Sequence, residues 1–473
     1  MNSKKVIQLL YIHMLFFGGI YLSCQPAWTL QQCMDYAHSH NLNVLQSKGN
    51  IESAAIDVKQ SNDNFLPSIN GSMGQNLNLG RSVDFVTYDV VTQAINSSTL
   101  GLNASYSLYE GNRRKLTRTN SNLQLESAKL NESSLLLNID LSIINAYLQI
   151  LRAEEQKQVF VTQAALTKDR LAQTQKLIDA GVLPSGDILP LKSQEANDNL
   201  GIVRADNAIA SAYLLLAQSM DYYDPIKVVK PVTEADMNKL DELSLSTLLQ
   251  TAADRRPEVK AAELDQKIAE TNIGIAKSAK MPSIALVGSL STRYSSLGKS
   301  ITGQQTLVTP IGYVASSNEL VYSALSQPVY EKTGFFKQFS DNLNFGVGIN
   351  VGIPIFNNFQ VKNNIAKTQI AIKMAELRKQ SAIRNSDKTV RDSYLNAINA
   401  RQSLQASQVA VDAATQAFMN SQKKYGVGLI NQYEINQSQN NVTNAELNLR
   451  SAKYDYIFML LILDYLQGKP LQF

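Results

Sequence analysis

The chain repeats itself, and that repetition limits its folds more than any other feature. Leu30, Ala37 and Leu66-Pro67-Ser68-Ile69 return 215 positions later as Leu245, Ala252 and Met281-Pro282-Ser283-Ile284. Ala146-Tyr147-Leu148 and Ala180-Gly181-Val182 return 247 positions later as Ser393-Tyr394-Leu395 and Val427-Gly428-Leu429. The offset grows by 32 residues between Pro282 and Phe356, so the second copy carries an insertion there. Two copies of one unit are expected, over residues 25–243 and 244–473, behind a leader at 1–24. Each copy reads helix, strand, loop, strand, long helix, turn, helix.

The long helices dictate an elongated molecule. From Leu116 to Leu177 there is no proline or glycine. Leu116, Leu123, Leu130, Leu137, Ile144 and Leu151 recur every seven residues, the spacing of a coiled-coil seam. At the α-helical rise such a run is a rod of roughly 90 Å, and Asn363 to Lys424 makes a second. Leu30–Asn64, Asp187–Met220, Leu245–Lys280 and Glu434–Leu466 read as four helices about half as long. Thr29 followed by Gln32 is a capping-box pattern at the first of them.

Between the helices the period changes to two. Ile69, Met73, Leu77 and Leu79 alternate with Asn and Ser, as do Leu100, Leu102, Ala104, Tyr106 and Leu108. Ile284, Leu286 and Leu290 face Ser283, Ser289 and Ser291. Leu343, Phe345, Val347, Ile349, Val351, Ile353 and Ile355 alternate with Asn and Gly. A soluble sandwich with one wet face accounts for alternation alone. The length, about ten residues each, matches a tilted bilayer-spanning strand. The polar faces use small uncharged residues, as a water-filled lumen does. Four strands cannot close a barrel, since about eight is the smallest number that encloses a filled interior, so a barrel has to be shared between chains. The loops Ser82–Ser98 and Ser296–Ser340 join the far ends of the strands.

Composition excludes several classes. The 44 Lys and Arg against 40 Asp and Glu leave +4, too little and too scattered for nucleic acid. Two Cys and three His exclude a disulfide framework and make a multi-ligand metal site remote. Lys4 and Lys5 before the apolar run Val6–Cys24 read as a secretory signal. An uncleaved anchor and a lipoprotein acylated on Cys24 are the other two readings, though Tyr21-Leu22-Ser23 is a poor lipobox. Beyond Cys24 no segment is expected to be apolar enough for a transmembrane helix. No Walker loop, dinucleotide glycine pattern, metalloprotease His-Glu pair or nucleophile elbow is present, so no enzyme is expected.

From Trp28 to about Leu466 the pattern resembles the TolC-like outer membrane efflux family. Trp28-Thr29-Leu30-Gln31-Gln32-Cys33 with Ala37 and Asn41, Phe65-Leu66-Pro67-Ser68, and the strand-to-helix corner Leu108-Tyr109-Glu110-Gly111-Asn112-Arg113 carry the resemblance. That corner is matched by Pro354-Ile355-Phe356-Asn357-Asn358. Most specific is the turn Lys176-Leu177-Ile178-Asp179-Ala180-Gly181-Val182 with Asp187 beyond it, repeated as Lys424-Tyr425-Gly426-Val427-Gly428-Leu429 with Glu434. The opening is similar to members from Bacteroidetes-type bacteria. The resemblance implies a mixed architecture: long helices in a coiled-coil barrel plus a transmembrane β-barrel, four strands per chain. A homotrimer would build a twelve-stranded barrel in the outer membrane over a twelve-helix periplasmic tunnel. It implies a passive exit duct for efflux or type I secretion, docked on a periplasmic adaptor and an inner-membrane pump of RND, ABC or MFS type, with no cofactor. The rival from another class is an exported structural or adhesive coiled coil with a soluble β tip.

The candidate residues follow. Asp187 and Glu434 come just after the two helix-to-helix turns. As helix caps they would meet the dipole and free N–H groups; in a trimer they would ring a periplasmic gate with six carboxylates, Tyr425 at the same height. Gly181 and Gly428 suit left-handed helix ends, and family analogy puts adaptor docking at Gly181, Val182, Leu183, Gly428, Leu429 and Ile430. Pro67, Gly111, Pro282 and Pro354 mark the strand–helix corners, with Leu108 set against Pro354 and the first corner therefore expected to bend less. Cys33, His38 and His40 lack an evident carboxylate partner and read as structural. Arg113, Arg114, Lys115 and Arg118 suit lipid headgroups or a solvated face. Phe473, an aromatic last residue, has no expected strand before it.

Overall fold

A computed structural model describes residues 27–230 and 237–469; the leader, Cys24 and Phe473 lie outside them. The chain divides into two compact units, one of residues 1–53, 126–265 and 375–473, the other of residues 54–125 and 266–374. Each draws on both sequence repeats.

The first unit is helical. Strand β1 (Ala27–Trp28) pairs in parallel with β6 (Lys227–Val228). Thr29 then caps α1 (Leu30–His40): its hydroxyl accepts from the Gln32 N–H at 3.2 Å and the Gln32 side chain accepts from the Thr29 N–H at 2.9 Å. Helix α2 (Leu42–Asp63) follows. The long α3 (Arg113–Asp179) and α8 (Gln360–Gly426) have 67 residues each. Helices α4 (Leu189–Met220), α5 (Leu245–Arg255), α6 (Pro257–Ser278) and α9 (Gln432–Leu466) complete the set, and α2, α3, α6 and α8 each have residues in both units.

Two apolar cores repeat the duplication. In one, Leu30 and Ala37 of α1 join Ile143, Ile144 and Tyr147 of α3, with Leu216 of α4 and Ile457 of α9. In the other, Leu248 and Ala252 of α5 join Val390 and Ala397 of α8, with Leu463 of α9. The matched tyrosines do the same work: Tyr147 donates to the Trp28 carbonyl at 3.3 Å, and Tyr394 to the Leu243 carbonyl at 3.3 Å. Each ties a long helix to the segment that leads into a short one. Of the heptad positions, Ile144 and Leu151 are fully buried here.

Two helices expected to be continuous are broken. The 30–64 run stops at Asn41 (φ −61°, ψ 128°) and the 245–280 run at Arg256 (φ −66°, ψ 126°), both extended. Pro257 explains the second break, because its ring pushes the preceding residue out of the α region. At the first, the Asn41 side chain takes over backbone partners, donating to the Ser219 carbonyl and accepting from the Asn43 N–H. A further expectation also changes: α3 and the stretch Ser185–Met220 each contain a window apolar enough to cross a membrane. In α3 half of that window is buried; Ile143, Ile144 and Tyr147 there serve the first core.

The second unit holds an antiparallel sheet ordered β10 (Asn344–Gly352), β7 (Ser283–Ser295), β5 (Ile95–Glu110), β2 (Ser68–Asn78). Its register sorts side chains into rows. Phe345, Leu290 and Leu102 stand opposite one another, as do Ile349, Leu286 and Tyr106. The alternate rows are Asn344, Ser291, Gly101 and Ser72, then Gly346, Ser289, Asn103 and Asn70. Val287 breaks the polar side. Strands β2, β5, β7 and β10 run 11, 16, 13 and 9 residues, so β5 is longer than expected and starts inside the supposed 82–98 loop, and β10 ends before Ile353 and Ile355. That loop also contains a short ladder, β3 (Arg81–Val83) with β4 (Val90–Thr92). The supposed loop 296–340 is mostly a hairpin, β8 (Lys299–Tyr313) with β9 (Leu320–Lys332), followed by α7 (Phe335–Asp341).

Candidate functional site

The two helix-to-helix turns are built alike. Gly181 (φ +71°) and Gly428 (φ +75°) are left-handed. A Cβ added to either would meet nothing within 4 Å, so conformation rather than space demands glycine. Val182 N–H donates to the Leu177 carbonyl and Leu429 N–H to the Lys424 carbonyl, both at 2.9 Å. These are the six-to-one bonds of a Schellman ending, which satisfy carbonyls the helix leaves free. The extra Gly426 is simply the last residue of α8. Val182 and Leu429 stay exposed, as apolar residues free to meet another surface; Gly181 and Gly428 are exposed too, Leu183 and Ile430 half-buried.

Past the turns the two copies diverge. Asp187 lies in a 3-10 turn, Ser185–Ile188, with no side-chain cap at its start. Glu434 is exposed in the first turn of α9, where Asn431 is the cap, its side chain accepting from the Glu434 N–H at 3.0 Å. Capping in the second copy therefore belongs to Asn431, and the Glu434 carboxylate is left for the helix dipole and solvent. Asp187 and Tyr425 do come together. Burial, reinforced by the Asp187 carboxylate, raises the Tyr425 phenol above its ordinary range.

A third member was not legible in the sequence. Arg170 of α3 places its guanidinium 5.3 Å from the Phe418 ring centre on α8, within electrostatic reach of Tyr425. Burial lowers its pKa, and its Nη1 is buried without a hydrogen-bond partner. Nothing in Lys168-Asp169-Arg170 distinguishes it from a solvated charge run. Farther along α3, Gln163 accepts from Gln439 (2.7 Å) and Thr443 (3.1 Å), and Thr167 donates to Asp198 (2.6 Å). Polar rungs thus tie α3 to α4 and α9 behind the tip.

The strand–helix corners also repeat, in a register the sequence matching missed by one. Gly111 (φ +59°) and Asn112 (φ +67°) are both left-handed before α3; Asn358 (φ +51°) and Phe359 (φ +60°) are both left-handed before α8. Pro354 is therefore the counterpart of Ser107, not Leu108, and the two corners share their left-handed step. Gly111 is sterically fixed, since a Cβ there would lie 2.7 Å from the Met281 Cβ. Pro67 and Pro282 directly precede β2 and β7, while Pro354 follows β10.

Two further expectations change. His38 does have a carboxylate partner, Asp140 at 2.7 Å, and among the described residues no group of three metal-binding side chains occurs. In the basic cluster, Arg113 bonds Glu110 at 2.5 Å, and Arg114 turns inward to the Ser107 carbonyl and the Phe65 ring instead of standing free.

The model of the family described as "Outer membrane efflux protein" matches residues 34–220 and 248–463. The chain belongs to the outer membrane efflux protein family. The TolC outer membrane protein of Vibrio cholerae is 22% identical over 445 residues, 94% of this chain and 91% of that one. TolC of Escherichia coli is 21% identical, with 92% and 81% covered. Among solved structures, the outer membrane protein VceC of Vibrio cholerae superposes with a TM-score of 0.73 at 14% identity, covering 94% of this chain and 97% of that one. The CmeC outer membrane channel of Campylobacter jejuni gives 0.71 at 15%, covering 93% and 85%. Membership in this family makes the protein an outer membrane protein whose long helices and strands follow the efflux-channel fold.

Proposed function

We propose that the protein is a passive exit duct of the outer membrane, working as a homotrimer docked on a periplasmic adaptor and an inner-membrane pump. The observation that carries this reading is the four-stranded sheet: Ile69, Met73, Phe345, Val347 and Ile349 are each more than 60% exposed on one face. Exposed to water, such a face is untenable; exposed to lipid, it is what a spanning strand needs. Among the described residues the β2 and β10 edges have no neighbour in the sheet, and three copies joined edge to edge close a barrel of twelve strands. The duct carries cargo outward and transforms none.

The turns form the periplasmic tip. Asp187, Tyr425 and Glu434 make the gate, with Arg170 placed to hold Tyr425 and Asp187 in the closed arrangement. Gly181, Val182, Leu183, Gly428, Leu429 and Ile430 present the adaptor-docking surface. Replacing Asp187 by Asn and Glu434 by Gln deletes six charges per trimer while nearly preserving size. In planar bilayers the variant is expected to lose cation preference with its mass unchanged; retained preference would move the gate elsewhere. A non-conducting wild-type protein would instead favour the adhesive coiled coil.

A further inference from the structure

The segment between β2 and β5 folds back over one face of the sheet, and the register says which. Ser97 stands opposite Ser295, Thr99 opposite Arg293 and Gly101 opposite Ser291, so Arg293 and Ser295 continue the polar rows to the end of β7. Both hold the β3–β4 turn. The Ser295 hydroxyl donates to the Asp84 carboxylate, and the Arg293 guanidinium donates to the Phe85 carbonyl at 3.4 Å. Ile95, which the register puts on the same side opposite Asn78, is only 2% exposed. Turn and sheet enclose a cavity of about 530 Å³. Val83, Phe85 and Val86 line it from the turn, and Asn76, Asn103 and Ser289 from the polar rows. Apart from the corner residue Glu110, Arg293 is the only charged side chain in those rows among the described residues, and it reaches for the turn.

The turn is built to keep its shape. The Asp84 carboxylate also accepts from the Val86 and Thr87 N–H groups (2.9 and 2.7 Å). The Asp84 N–H donates to the Asp89 carbonyl at 3.0 Å, and the Tyr88 N–H to the Asp84 carbonyl at 2.8 Å. Asp84 and Ser295 are buried, and a buried carboxylate is tolerable only when it is bonded in this way. Phe85 is the opposite case. It stands over the polar rows and yet is 63% exposed. Hydrocarbon covers the other face of the sheet, so lipid cannot account for an aromatic ring displayed on this one.

We infer that the Asp84–Tyr88 turn is a size-selecting constriction at the outer mouth of the duct, fastened over the lumen by Ser295 and Arg293, with Phe85 the side chain that cargo passes. Three copies bring three such turns around one axis, and a solute too large for the space beside them has to displace them. The inference rests on the duct reading, in which the polar rows line the lumen, and the test separates the two.

The wild type's mass in mild detergent and its conductance in planar bilayers are measured first. Asn103→Cys then puts a thiol on the polar side, deeper than the turn. Intact cells are treated with membrane-impermeant polyethylene-glycol maleimides of rising mass, with the chain lacking the added cysteine as control. Cys33 does not interfere, because it is fully buried and its thiol is pushed up to about 12. The reagents arrive from outside, so the state of the periplasmic tip does not affect the reading. Labelling is expected for small reagents and is expected to stop above a cut-off mass. Phe85→Ala with Tyr88→Gly should raise that cut-off, so that the first reagent excluded by the wild type labels as fully as the smallest. These changes keep the turn's backbone bonds, and Tyr88 is left-handed at φ +60°, where glycine sits without strain. Replacing residues 84–89 by a Gly-Ser turn should raise the cut-off further. A cut-off unmoved by either change overturns the constriction and leaves the duct standing. Failure of every reagent in all three backgrounds, with full labelling in detergent, seals the polar side from the outside and overturns it too. A one-chain mass or a wild type that does not conduct removes the duct and the constriction together.

Discussion

The helical unit and the sheet unit place the same apolar side chains oppositely. In the helical unit Leu216, Ile143 and Leu463 are wholly buried among helices. In the sheet unit Ile349, Val347 and Met73 point outward, and the small polar residues Ser289, Asn103 and Asn70 share the other face. The difference teaches where the solvent changes. Around the helices water drives apolar groups inward; around the sheet hydrocarbon removes that drive and penalises unpaired backbone instead. Burial within one chain is thus a guide to fold in the first unit and to surroundings in the second.

The sharpest way to break this comparison is truncation. Leu216→Ala opens a cavity in a closed core and should cost about 2–5 kcal/mol in thermal or denaturant unfolding of the detergent-solubilised protein. Ile349→Ala, facing detergent, should cost far less. Equal losses would mean that the sheet face is packed against protein rather than lipid.

Charge tests the same contrast from the other side. Ile349→Arg places a guanidinium in hydrocarbon at a cost of about 2–4 kcal/mol near mid-span, which should deplete assembled protein in the outer membrane. Asn350→Arg, one residue on and facing the lumen, should assemble normally and change conductance. Matching depletion at both positions would refute the alternation.

What could be read from residues alone follows from how local the cause is. The period-two strands and the glycine turns are set within a few residues and stand close to where the pattern puts them, although β10 stops at Gly352, short of Ile353 and Ile355. Of the heptad positions, Ile144 and Leu151 are buried and the four before them only partly. The break at Arg256 was also readable, because Pro257 announces it; the break at Asn41 has no proline and depends on Ser219, far away in sequence. The hairpin within 299–332 was readable in principle from the alternation around Val308 and Tyr322, but the Gly-, Ser- and Gln-rich run resembles a loop. The Arg170–Tyr425 and His38–Asp140 pairings join separate helices, and no spacing within one segment reveals them.

The two tips sharpen the comparison at smaller scale. Gly181→Ala and Gly428→Ala put a Cβ on a left-handed residue, costing about 1–2 kcal/mol each, although space around both is open. Gly426→Ala, at the end of α8, should be neutral or slightly stabilising. Melting curves of the three variants decide this. A cost at Gly426 equal to that at Gly428 would mean that packing, not conformation, selects glycine at the tip.

The smallest expected effect belongs to His38 in the helical unit. Its hydrogen bond to Asp140 raises its pKa above 6.5, against the opposing effect of burial, with Asp35 helping and Lys48 resisting. Arg255, Arg256 and Lys469 line the same cavity and add positive charge near the pair. A raised folded-state pKa means that folding favours the protonated form. The stabilisation is then full below the unfolded value of 6.5 and disappears as the pH rises through the higher folded value. The His38 side chain is 34% exposed, so solvent screening keeps the effect on the scale of a surface ion pair, about 1 kcal/mol or less. Subtracting the melting temperature of His38→Gln from that of the wild type should give a positive difference below pH 6.5 that declines upward. No such decline is expected for a residue of the sheet's outward face, where Ile349→Val, having nothing to titrate, should give a flat difference. A flat line for His38 as well would show that the Asp140 contact holds equally for the neutral ring and contributes no pH dependence.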